Sequence, residues 1–163
     1  MKRFWGLLTV LLLTAALFTG CNGTEKETTF TCGELSITLP AEYKDLSQQD
    51  YAADFDFLYG LPNEAVLGFK QARASLETSR PNLTAKEYAQ LFIDAAELSC
   101  AVEELDGLVF FTYSAMAGDT EVTYLCSAFK SEINFWIIQF YCPSNTYSQH
   151  EADFIRYLRS VKV

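Results

Sequence analysis

The side chain with the clearest chemistry is the thiol of Cys21, because of the residues that precede it. Lys2 and Arg3 form a short positive region, and residues 4–18 are almost wholly apolar. Thr19-Gly20 then supplies the small residues that let an extended backbone enter a signal peptidase. This order is typical of a bacterial lipoprotein export signal, in which the cysteine accepts a diacylglycerol. Cys21 is therefore the predicted lipidation site.

The segment before Cys21 is too short, and too abruptly followed by polar residues, to be a convincing spanning helix. Phe18 stands where lipoprotein signals usually carry an aliphatic residue, so an ordinary cleaved secretory signal and an uncleaved anchor are the alternatives. A diacyl anchor, at about 0.8 kcal/mol per buried methylene, would be effectively permanent. We expect residues 1–20 to be a signal peptide and residues 21–29 to be the lipidated cysteine with its tether. Residues 30–163 are then a single domain on the extracytoplasmic face of a bacterial membrane.

The charge of the chain excludes one class of partner. The full sequence carries a net charge of −9, and residues 1–20 contain two of its basic residues and no acid. The mature part therefore has 21 acidic against 10 basic residues, a net charge of −11. Phosphate backbones and anionic lipid headgroups repel such a body. We expect no nucleic-acid partner, and we attribute the acidity mainly to solubility and to separation from the membrane.

His150 is the only histidine, so any His–Cys or His–Ser catalysis would have to use it. Its place in the first turn of a predicted helix, between Gln149 and Glu151, favours a solvated histidine over a catalytic base. The sequence carries no Gly-x-Ser-x-Gly, Cys-x-x-Cys, Walker-type or His-x-x-x-His motif. No catalytic residue and no cofactor is therefore predicted.

Two groups of acids have the composition of a cation site or of a glycosidase carboxylate pair. Asp54 and Asp56 are expected on one face of a strand, and Glu103, Glu104 and Asp106 at the end of a hairpin. Neighbouring acids in such places more often form the wet face of a strand or turn. No metal site is therefore predicted.

Four thiols remain after lipidation, namely Cys32, Cys100, Cys126 and Cys142. An even number in an exported protein is compatible with disulfides, in three possible pairings. All four lie in strand-like apolar segments, where a free cysteine behaves as a small hydrophobic residue. Reduced, buried thiols are slightly favoured, and the disulfide alternative stays open.

Turn residues and hydrophobic periods predict the elements that position these side chains. Thr84 and Glu87 have the spacing of a capping box for a helix over residues 85–98. Asp106-Gly107 and Gly118-Asp119 predict hairpin turns. The alternation predicts strands over 30–33, 34–40, 54–59, 65–69, 100–105, 108–115, 121–130 and 133–142, a loop over 72–82, and a second helix over 146–160.

Two strand segments decide the fold class. Residues 133–142 and 108–113 are apolar on both faces rather than on one. A strand buried on both sides needs a layer above and a layer below, and the two predicted helices supply these layers. The sequence therefore predicts an α+β fold, a mainly antiparallel sheet of five to seven strands sandwiched between two helices.

Four segments carry a resemblance to a known family, and they extend over about residues 30–163. They are Leu35-Ser-Ile-Thr-Leu-Pro40, Leu83-Thr-Ala-Lys-Glu-Tyr88, Asn134-Phe-Trp-Ile-Ile-Gln-Phe140 and Phe154-Ile-Arg-Tyr-Leu-Arg-Ser-Val161. Their order resembles the PsbP-like α/β/α sandwich, the family of the photosystem II extrinsic protein and of many small exported lipoproteins. The resemblance is one of architecture, and it implies a noncatalytic binding or assembly role and no particular ligand. Nothing in the sequence supports a photosynthetic role.

The aromatic content, 13 Phe and 9 Tyr, mainly indicates a large core. It is also compatible with an apolar helix–sheet groove, rimmed by loops 43–53 and 72–82 with Tyr51, Arg73 and Arg80 as contact residues. We expect a membrane-anchored, noncatalytic binding or assembly module of the cell envelope that engages an unidentified protein or small ligand. The alternatives are a cell-envelope hydrolase and a purely structural envelope lipoprotein.

Cys21→Ala should release the protein from membranes, because lipidation of Cys21 is the anchor that the sequence predicts. Detergent-phase partitioning and the mass of the N-terminal peptide measure the change. Cys32→Ala is the matched control, and it should stay membrane-bound. A Cys21→Ala protein that is still acylated and still partitions into detergent would overturn the predicted location.

Overall fold

The computed structural model describes residues 26–49 and 52–163, so the predicted signal peptide and Cys21 lie outside the described residues. The described chain forms nine strands and three helices. These are β1 (Glu27–Cys32), β2 (Leu35–Pro40), β3 (Lys44–Asp45), β4 (Phe57–Leu61), β5 (Glu64–Ala72), α1 (Arg73–Glu77), α2 (Ala85–Ala95), β6 (Glu103–Leu105), β7 (Leu108–Ala117), β8 (Thr120–Lys130), β9 (Asn134–Pro143) and α3 (Tyr147–Arg159). No helix in this part of the chain has the length and apolar character needed to cross a membrane.

Seven of the strands form one sheet in the order β3-β4-β5-β9-β8-β7-β6, and every neighbouring pair is antiparallel. The predicted α+β class and the predicted antiparallel sheet are confirmed. β1 and β2 were expected among the first strands of that sheet, but they form a separate two-stranded sheet. This hairpin packs on the same face as α3, so the layer there is a helix together with a hairpin.

β9 lies in the middle of the large sheet, and its residues alternate between two cores. Phe135 and Ile137 pack in the core under α2. Trp136, Ile138 and Phe140 pack on the other face, in the core shared with α3 and the β1–β2 hairpin. All five side chains are fully buried. The predicted burial of this strand on both faces is confirmed.

α2 begins where its capping residues predict. Thr84 Oγ1 accepts a hydrogen bond from the N–H of Glu87 at 3.2 Å, and Glu87 Oε2 accepts one from the N–H of Thr84 at 2.8 Å. These bonds satisfy donors that the start of a helix otherwise leaves unpaired. Leu83 before the cap and Tyr88 one turn later are buried in the same core. The predicted capping box is confirmed.

Several boundaries differ from the sequence prediction. β1 begins at Glu27, so residues 27–29, expected in the tether, pair with β2. Thr29 favours this pairing because its Oγ1 lies within hydrogen-bond distance, 3.2 Å, of Thr38 Oγ1 on the opposite strand of the hairpin. At the far edge, residues 100–102 lie outside β6, and Cys100 and Val102 pack against the core under α2.

One carboxylate fastens the β1–β2 hairpin to the large sheet. Glu34 Oε1 accepts hydrogen bonds from Asn134 Nδ2 at 2.7 Å, Trp136 Nε1 at 3.0 Å and Ser131 Oγ at 3.1 Å. The bonds from Asn134 and Trp136 are the main reason that the pKa of Glu34 falls to about 2. The ionised carboxylate thereby satisfies the indole N–H of a fully buried tryptophan.

Glu34→Gln should lower the urea midpoint at pH 7. Because the folded-state pKa is lowered, the stabilisation is complete above the ordinary pKa of a glutamate, 4.5, and is lost as the pH falls toward about 2. The difference in urea midpoint between the wild type and the Glu34→Gln variant should therefore be smaller at pH 3 than at pH 7. Ser131→Ala, which removes one donor and keeps the carboxylate, should retain the pH dependence. An equal difference at both pH values would refute this role of the Glu34 charge.

Candidate binding surface

The structure gives His150 partners that the sequence prediction lacked. His150 Nδ1 lies 2.6 Å from Glu64 Oε2, and Glu64 Oε1 accepts a hydrogen bond from the Tyr43 hydroxyl at 2.7 Å. Burial, and secondly the Glu64 carboxylate, raise the pKa of Tyr43. The His150 ring also stacks on Phe154, with centroids 5.6 Å apart. The expected solvated histidine is therefore corrected, since His150 ties α3 to the start of β5.

Asp54 and Asp56 do not share a strand face, because β4 begins only at Phe57. Asp56 instead holds β5, with Oδ1 3.1 Å from Lys70 Nζ and Oδ2 accepting the Lys70 N–H at 2.7 Å. Asp54 is exposed in the preceding turn. Across the described residues, no group of three His, Cys, Asp or Glu side chains is arranged to hold a metal ion.

The hairpin acids lie at the surface. Glu104 pairs with Lys86 at 3.7 Å and Asp106 with Arg159 at 2.9 Å, while Glu103 is exposed on β6. Exposed pairs of this kind stabilise a protein by at most about 1 kcal/mol.

Arg73 was expected to be a rim contact, but its bonds are internal to the domain. Its Nη1 donates to the carbonyl oxygens of Ser131 and Glu132, each at 2.9 Å. Its Nη2 lies 2.9 Å from Glu77 Oε1, an i,i+4 pair that supports α1 inside the predicted loop over 72–82. Substitution of Arg73 would therefore change stability, so Arg73 is not a suitable probe of binding.

The other two predicted rim residues were Tyr51 and Arg80. Arg80 is exposed just after α1, and Tyr51 lies outside the described residues. The aromatic surface that the structure does present lies on the large sheet, beside α2.

All four cysteines of the described chain are free thiols. The strand register places Cys126 opposite Gln139 and Cys142 opposite Thr123, so the two thiols do not face each other. Burial raises the pKa of each of the four thiols, and that of the fully buried Cys126 lies well above its ordinary value. Thiols in such surroundings are poor nucleophiles.

Three tyrosines stand side by side on the sheet face that packs against α2. Tyr113 on β7, Tyr124 on β8 and Tyr141 on β9 are direct cross-strand neighbours. The rings of Tyr113 and Tyr124 stack with centroids 4.8 Å apart and planes inclined by 8°, and those of Tyr124 and Tyr141 lie 5.5 Å apart. All three side chains are partly exposed. We call these three residues the tyrosine row.

A buried amide lies beside the tyrosine row. Gln139 is 1% exposed, and its Nε2 donates to the Tyr113 hydroxyl oxygen at 3.3 Å. Its Oε1 is buried and has no hydrogen-bond partner among the described residues. An unsatisfied buried acceptor of this kind costs about 1–3 kcal/mol, so its presence calls for an explanation.

The tyrosine row has the chemistry of a contact surface. Burial raises the pKa of Tyr113 and of Tyr124, so both side chains are neutral phenols near neutral pH. The stacked rings can contact aromatic and aliphatic groups of a partner. Their neutral hydroxyls can donate or accept uncharged hydrogen bonds. Sequence reasoning missed this row, although counting back from the Gly118-Asp119 turn places Tyr113 opposite Tyr124.

No protein-family model matches the sequence, and no curated protein sequence matches it. The structure is similar to the solution structure of cyanobacterial PsbP (CyanoP) from Synechocystis sp. PCC 6803, with a TM-score of 0.59 and 14% sequence identity. The match covers 90% of this chain and 97% of that chain. At this identity the likeness shows the fold alone. The chain therefore has a PsbP-like fold, as the resemblance in the sequence implied.

Gln139→Met should raise the free energy of unfolding by roughly 1 kcal/mol, because it removes a buried acceptor that has no partner and keeps the side-chain volume. Ser127→Ala is the matched control. Ser127 is fully buried too, but its hydroxyl donates to the Val109 carbonyl at 2.6 Å, so its removal should be destabilising by a similar amount. Chemical denaturation measures both. Destabilisation by Gln139→Met would show that the amide is satisfied.

Proposed function

We propose that the chain is a lipoprotein, held through Cys21 on the extracytoplasmic face of a bacterial membrane, that acts as a noncatalytic binding or assembly module. The tyrosine row is its proposed contact surface with a protein partner. The export signal supports the location, and the PsbP-like fold is compatible with an extrinsic binding or assembly role. The observation that carries the proposal is the partly exposed tyrosine row beside the unpartnered oxygen of Gln139.

Aromatic rings of this kind suit a protein contact on energetic grounds. Tyrosine buries a large apolar area while losing little side-chain entropy, and it is enriched at the centres of protein interfaces. The stacking of Tyr113 on Tyr124 fixes both rings before a partner arrives. Preorganised groups of this kind lower the entropy lost on association.

The test places a photoreactive phenylalanine analogue at Tyr124 of the full chain in its native membranes. Tyr147 is the matched control, because it is also partly exposed but packs against the core on the opposite face of the sheet. Irradiation should give a covalent adduct with a partner from position 124 and not from position 147. Equal adducts from both positions, or none from position 124, would refute the tyrosine row as the contact surface.

A further inference from the structure

One stretch of β7 has an open edge. β6 pairs only with Leu108, Val109 and Phe110, at the beginning of β7. From Phe111 to Ala117, β7 is paired with β8 on one side, and within the described chain no strand pairs with its other side. Ser114 and Met116 are exposed there, and the Met116 side chain is 54% exposed.

The register defines which backbone groups face this edge. Ala117 and Thr120 flank the two-residue turn Gly118-Asp119, and such flanking residues form a hydrogen-bonded pair. Alternate residues of β7 therefore bond to β8, while the N–H and C=O groups of Thr112, Ser114 and Met116 point the opposite way. Three residues thus present a regular row of donors and acceptors over about 15 Å.

The open edge lacks the features by which sheets usually avoid pairing. The other edge of the sheet is β3, which has two residues, Lys44 and Asp45, both charged. β6 is short and carries two glutamates among its three residues. Residues 111–117 of β7, in contrast, contain no charge and no proline. Long uncharged edges of this kind are templates for another strand.

Charge at the two ends of the open edge indicates the kind of strand that fits. Glu103 is exposed where β6 begins, next to the open edge, and Asp119 and Glu121 are exposed at the turn beyond Ala117. The centre of the edge is neutral, so acidic groups flank an uncharged stretch. A second copy of this acidic chain would bring like charges together, whereas a strand with basic ends would bring opposite charges together.

We propose that the β7 edge binds an extended segment of a partner protein, uncharged in its centre and with Lys or Arg at its ends, by adding it as a strand beside residues 112–116. This rests on the proposed function and specifies the partner's chemistry. Main-chain hydrogen bonds to Thr112, Ser114 and Met116 would hold the segment, and the neighbouring Tyr113 would contact its side chains on the α2 face.

The experiment titrates the purified full chain with a capped peptide of sequence Lys-Thr-Val-Thr-Val-Thr-Lys and follows the backbone amides by NMR. The largest shifts should fall on residues 112–116. The same peptide N-methylated at alternate residues should bind roughly tenfold more weakly or worse, because it cannot complete the main-chain bonds. A peptide with Glu in place of both Lys should bind more weakly, and the difference should decrease in high salt.

Two variants test the edge from the protein side. Ser114→Pro removes an outward N–H and leaves the main-chain bonds to β8 in place, so binding should be lost while thermal unfolding stays cooperative. It also removes the hydroxyl that lies 2.9 Å from Thr123 Oγ1, and Ser114→Ala, which loses only that hydroxyl and should still bind, is the matched control. If the proline variant does not fold, Met116→Lys serves instead, since its charge should repel the Lys-ended peptide. Equal binding by the N-methylated peptide, shifts centred away from residues 112–116, or a doubled molecular mass of the free chain would overturn the inference. A partner crosslinked to Tyr124 without peptide binding at β7 would retain the proposed function and remove this inference alone.

Discussion

The structure depends on the burial of β9 on both of its faces. Residues 135–140 are all 1% exposed or less, so neither face of this strand can tolerate water. Antiparallel sheets commonly leave one face exposed to solvent. This sheet cannot, so other elements must pack against both of its faces. α2 covers one face, and α3 with the β1–β2 hairpin covers the other. The Glu34 carboxylate secures that second layer, because it bonds directly to Trp136 on β9. Removal of either cover would expose a continuous aromatic surface.

The two covers differ in extent, and this difference generates the candidate binding surface. α2 has 11 residues and is therefore about 16 Å long, whereas β8 has 11 residues and spans about 36 Å. One short helix cannot cover the full length of the strands beneath it. The tyrosine row lies where α2 no longer covers the sheet. Its rings tolerate partial exposure to water because each carries a hydroxyl. The same shortness at β6 leaves the β7 edge open. The binding surface thus follows from two elements that are too short for the sheet they adjoin.

Local patterns in the sequence predicted much of this fold. Both partners of the Thr84 and Glu87 cap lie within one turn, and the apolar runs on both faces of β9 indicate two layers without any knowledge of topology. The contacts that the sequence did not reveal join distant residues. Glu34 and Asn134 are separated by 100 positions, and His150 meets Glu64 only after α3 folds back over the sheet. The tyrosine row is an intermediate case. Its first pair follows from the turn at Gly118-Asp119, but Tyr141 enters through a longer connection whose register no turn motif defines. The sequence prediction placed its contact residues in the loops and missed the tyrosine row, because side-chain type alone does not show which strands become neighbours.

Amide hydrogen exchange along β7 in the free full chain tests most directly the claim that this sheet is incompletely covered. Exchange is slow where an N–H is bonded within the sheet and fast where it faces solvent. The register predicts slow exchange at Phe111, Tyr113, Ala115 and Ala117, alternating with fast exchange at Thr112, Ser114 and Met116. Uniformly slow exchange from Phe111 to Ala117 would mean that another segment already pairs with this edge, and it would contradict the account.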